Sequence, residues 1–138
     1  MCRRRKVLAA LSLASAVSVG AGGGLLWFYK LVPEILTIFT ALAVLLVLFA
    51  ALEIRAGKEW AIHLGASLAT VAMITSSLSR AHFRALLQFG RAPVITVLDV
   101  LMVAGFYVFP AAYLIMWGYL TAKIMKEMKN ERTNSHHP

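Results

Sequence analysis

The sequence predicts an all-α fold: a polytopic membrane protein, a bundle of four transmembrane helices with a short interfacial helix between the third and the fourth. Three observations predict it. Apolar residues make up 60% of the 138-residue chain, and the mean hydropathy of +0.76 leaves little for a water-soluble domain. Four runs, at about 7–29, 34–54, 60–79 and 94–122, are nearly free of charge. Each is at or near the roughly 20 residues that carry a helix across a ~30 Å hydrocarbon core. Finally, the Lys and Arg residues gather at the ends of these runs. One transmembrane domain is expected over 1–138, since no repeat and no Gly/Ser or Pro linker divides it.

The first run follows Arg3, Arg4, Arg5 and Lys6. Its Ala/Ser/Leu/Val composition and Gly22-Gly23-Gly24 have the pattern of a secretory signal peptide. The apolar run continues through Leu25 to Tyr29, however, and that length with its aromatic end favours a retained span. The glycines at 20 and 22–24 are expected to permit close helix contact. A phosphate-cradling role is excluded because no strand precedes them.

Pro33-Glu34 opens the second run, where proline has no donor to lose and an acid complements the helix dipole. Its body is Leu, Val, Ala and Phe, which predicts the most lipid-exposed helix. The third run is rich in small and hydroxylated residues, which let membrane helices approach closely. It is expected to be the most enclosed span, with Gly65, Ala69 and Ala72 as helix-packing positions. Its hydroxyls, Ser67, Thr70, Thr75, Ser76 and Ser77, read as scattered over several faces.

Between the third and fourth runs, Arg80, Arg84 and Gln88 recur at i, i+4 and i+8, with Phe83, Leu86 and Leu87 elsewhere on the turn. That predicts a short amphipathic helix in the interface, ended by Gly90 and Pro93. In the fourth run Pro110 removes a backbone donor and predicts a kink. Asp99 is the only acid away from the ends of an apolar run. It is expected to pair with Arg91 or Arg84, with an ion or proton path as the functional alternative. Asp99, Phe106, Tyr113 and Trp117 read as one stripe, more in keeping with packing than with a cofactor pocket. The helix is expected to run on into a tail at 123–138.

The net charge of +8 is explained by the run flanks, so nucleic-acid binding is not expected. With both termini cytoplasmic, ten Lys and Arg residues lie inside and four outside, the sense the positive-inside rule selects. The single cysteine, Cys2, allows no internal disulfide; beside the basic cluster it is a candidate for acylation only in a eukaryotic host.

His63 and His82 are weak candidates for cofactor binding. They are 19 residues apart, which at ~1.5 Å per residue places them near opposite membrane faces, too far apart to share one haem. His63 reads instead as an interfacial imidazole beside Glu59. His136-His137 is too short a tract to imply metal binding. No catalytic residue, metal or cofactor is expected. The expected partners are the lipid bilayer and other membrane subunits, or further copies of the chain. The function expected is that of a non-catalytic small subunit or assembly factor of a larger membrane complex, with an energy-transducing complex as one setting. The alternative is a small homo-oligomeric transporter or channel using Asp99.

Overall fold

The computed structural model describes residues 2–134. His136 and His137 lie outside the described residues, and so does the side chain of Cys2. The described chain is helical, with four helices long and apolar enough to cross a membrane. In hydrocarbon every backbone donor and acceptor must be satisfied within the protein, and a helix does this within one segment.

Helix α1 spans Cys2–Phe28. It closes with Leu31 N donating to Leu26 O and Lys30 N to Trp27 O, both at 3.0 Å. Lys30, at φ +51°, occupies the left-handed position that glycine usually takes in this cap. Helix α2 spans Glu34–Arg55, entered through Pro33. The same capping pattern ends it: Gly57 N bonds Ile54 O and Lys58 N bonds Glu53 O, with Gly57 at φ +89°. Helix α3 spans Glu59–Leu78. The short α4, Arg80–Leu86, follows at once, with Ser79 Oγ accepting from His82 N. The expected interfacial helix is therefore present, and Gly90 at φ +83° and Pro93 separate it from the next element.

The fourth span runs without a break from α5 (Pro93–Val103) through a π turn (Ala104–Val108) to α6 (Phe109–Asn134). The irregularity expected at Pro110 thus lies in the preceding residues, as one widened turn.

Helix α1 is the hub. It packs against α2, α5, the π turn and α6, most extensively against α2, whereas α3 makes smaller contacts with α2, α6, the π turn and α4. The third span, expected to be the most enclosed, shares that place with α1. The most apolar window of α1 is 33% buried, that of α3 28% and that of α2 11%. The cause is a second small-residue stripe: Ala9, Ser12, Ala16, Gly20 and Gly23 recur at i, i+3, i+7, i+11 and i+14 on α1. Ala9, Ser12 and Ala16 are buried, and a Cβ on Gly23 would lie 2.8 Å from Thr40 Cγ2 of α2. The α2 surface is the least enclosed of the four, as its Leu/Val composition leads one to expect.

Contacts define the two ends of the bundle. At the basic end Leu8, Ile54, Ala61, Ala66 and Tyr113 form a buried cluster. Arg5 Nη1 there donates to Gly57 O at 2.7 Å, and Nη2 pairs with Glu59 at 3.1 Å. Arg4 sits 5.1 Å from the Tyr119 ring centroid, a cation–π distance. Helix α4 and the start of α5 lie at the opposite end.

Candidate functional site

The π turn is set by the local sequence and by α1 together. Phe109 N bonds Ala104 O, five residues back. In that register the next donor would be residue 110, which is proline and has none. The Gly105 carbonyl would be left unpaired in the membrane interior. Ser15 Oγ of α1 donates to it at 2.7 Å. The absence of a side chain at Gly105 permits this approach: a Cβ there would lie 2.6 Å from Val19 Cγ2 and 3.2 Å from Val19 N. π turns of this kind concentrate at functional sites. Sequence reading missed both Ser15 and Gly105. The available signal was a glycine five residues before a proline inside a span, which gains meaning only once the π register is known.

Asp99 lies on α5, one turn before the π turn, and is 1% exposed. The expected salt bridge is not formed. Arg84 and Arg91 are exposed, and Asp99 makes no ion pair or hydrogen bond among the described residues. The reason is geometric. Arg84 is on the interfacial helix and Arg91 in the loop after it, while the carboxyl points into the bundle.

The predicted stripe beyond Asp99 packs against α3 and α4. The Phe106 ring lies 5.6 Å from that of His82. Tyr113 is 2% exposed, covers Gly65 and donates its hydroxyl to Ile62 O at 2.9 Å. Trp117 Nε1 donates to His63 Nδ1 at 3.2 Å. Of the proposed packing residues, Gly65 and Ala69 are buried and Ala72 is half-buried. All three border a small cleft of about 30 Å³ shared with Ser12 and Ser15.

The two histidines are not brought together. His63 is held by Trp117, not by Glu59, which is engaged by Arg5. His82 Nδ1 lies 2.8 Å from Ser76 Oγ at the far end of α3. Among the described residues no group of three His, Cys, Asp or Glu side chains is placed to hold a metal ion.

The five hydroxyls of α3 do not share one face, as the sequence reading held: Ser76 is buried and Thr75 lies to one side, but the other three align. His63, Ser67, Thr70, Ile74 and Ser77 fall at i, i+4, i+7, i+11 and i+14, and all five are exposed. At 100° per residue these positions occupy one narrow face. Ser67, Thr70 and Ser77 each bond the carbonyl four residues back, at 3.0, 2.9 and 2.7 Å. Ser77 also meets the Tyr107 hydroxyl at 3.2 Å. Helix α3 thus leaves Ser67 and Thr70 exposed on this face, between His63 and Ser77, which meet Trp117 and Tyr107 of the fourth span. Comparison with protein-family models, with curated proteins and with solved structures finds no match to this chain.

Proposed function

We propose that this chain is a non-catalytic small subunit or assembly factor of a larger membrane complex, joined to it through the outward face of α3. The observation that carries this reading is the exposed stripe of His63, Ser67, Thr70 and Ser77 on a span whose other face is already packed. Hydroxyls bonded to their own helix tolerate the bilayer, and in a helix–helix interface they also bond across it. Small side chains on such a stripe admit a partner backbone closely. The test is extraction in mild detergent followed by identification of what co-purifies. Unrelated membrane subunits are expected with the parent chain. Ser67→Leu with Thr70→Leu is expected to release them at unchanged helical content, while Leu46→Ala on α2 retains them. A partner set indifferent to the α3 changes would sink the assignment.

A second reading, a small homo-oligomeric transporter or channel, rests on Asp99. A buried carboxyl without a partner at membrane depth is a functional hypothesis in its own right. A pure homo-oligomer that loses transport on Asp99→Asn, at normal assembly, would favour it over the first.

A further inference from the structure

We propose that the groove between α1 and α2 at the basic end of the bundle binds one anionic phospholipid. The groove has a volume of about 860 Å³, within the ~300–1,000 Å³ range of small-molecule sites. Its lining changes character along its length. Arg5, Lys6 and Arg55 stand at the end facing the membrane surface, and Ala10, Leu13, Leu48 and Leu52 continue it into the span. From Lys6 to Leu13 the wall descends ~10 Å at ~1.5 Å per residue, into the depth of the acyl chains.

Two of the three cations at the mouth, Lys6 and Arg55, are not neutralised by the protein. Both nearby acids are taken: Glu59 by Arg5 at 3.1 Å, and Glu53 by Lys58 at 2.6 Å. Lys6 and Arg55 are exposed and have no acidic partner among the described residues. Arg5 Nε is buried without an acceptor. Two uncompensated charges, beside the Arg5 guanidinium, therefore line the same groove as its apolar wall. A phosphodiester head accepts from guanidinium and ammonium groups in charge-assisted bonds. Its acyl chain would cover the alanine and leucine walls. A soluble anion matches only the mouth, and a zwitterionic lipid places a cationic group beside three cations. An anionic phospholipid fits both halves of the groove.

The test uses the full chain, purified in mild detergent and examined by native mass spectrometry. The probes are phosphatidylglycerol and phosphatidylcholine with identical acyl chains, supplied in equal amounts. One phosphatidylglycerol per chain is expected to be retained in preference to phosphatidylcholine. Lys6→Gln with Arg55→Gln is expected to lower that retention about 30-fold, from ~1 kcal/mol per basic side chain at an anionic surface and 1.4 kcal/mol per decade. Ala10→Trp, filling the channel from an exposed position, should displace the lipid with all three charges in place. Lys126→Gln, an exposed cation of α6 outside the groove, should leave retention unchanged. Equal retention of the two lipids would overturn the proposal. So would an equal loss in Lys126→Gln, or displacement of the lipid by glycerol phosphate at comparable concentration, since the apolar half would then contribute nothing.

Discussion

The Ser15 hydroxyl on α1 donates a 2.7 Å hydrogen bond to the carbonyl of Gly105, ninety residues along the chain. That carbonyl is the one that Pro110, in the π register, leaves without a backbone donor. The bond joins the central helix to the irregular turn of the fourth span, where a Cβ on Gly105 would collide with Val19.

Removing the hydroxyl should therefore cost stability only while the proline is present. Ser15→Ala is expected to destabilise by about 1 kcal/mol, the usual net worth of such a bond, and by somewhat less if the unfolded chain finds other partners in the membrane. In a Pro110→Ala background, where residue 110 carries its own N–H, that loss should largely vanish. Unfolding of the four chains of this cycle in mixed micelles measures the coupling directly. Additive effects would show that the serine does not stand in for the missing donor.

The glycines should divide by the space around them. Gly105→Ala drives a methyl group into Val19 and Gly65→Ala into the Tyr113 ring, so each is expected to cost about 1–3 kcal/mol as an overpacked contact. Gly24 and Gly118 have nothing within 4 Å of a Cβ. Their alanine variants should be neutral or stabilising by up to ~1 kcal/mol through helix propensity. Thermal unfolding in one detergent ranks the four, and a costly Gly118→Ala would contradict the packing described.

Asp99 yields a prediction opposite to the one its sequence position suggests. With no ion pair to lose, Asp99→Asn should be at least as stable as the parent, because an uncompensated buried carboxylate is unfavourable. Arg84→Gln and Arg91→Gln should each stay within about 0.5 kcal/mol of it, as exposed substitutions do. A loss above ~2 kcal/mol in either arginine variant would reinstate the salt bridge.

Topology is testable without purification. The ten-to-four division of Lys and Arg predicts that reporters fused at Lys58 and at the C-terminus face the cytoplasm. Reporters at Lys30 and Arg91 should face the other side. A C-terminal reporter on the non-cytoplasmic side would invert the arrangement.

The number of helices long and apolar enough to span a membrane and the short α4 helix were legible in the sequence. Bilayer thickness sets the length of an apolar run, and Ser79, Gly90 and Pro93 act on the backbone locally. The low burial of α2 was legible as well, because a helix of Leu and Val without small residues suits lipid. What the tertiary structure decided was pairing. Small residues mark both α1 and α3 as able to pack, but only the assembled bundle makes α1 the hub, leaves Ser67 and Thr70 exposed and brings His63 and Ser77 to Trp117 and Tyr107. Asp99 and Arg91 are close in sequence, yet the direction of α5 buries the carboxyl beyond the arginine's reach. Ser15 and Gly105 carry no mark of their relation at all. Backbone satisfaction within one helix is a local requirement that composition reveals, whereas the repair of a single missing donor comes from whichever helix the fold brings alongside.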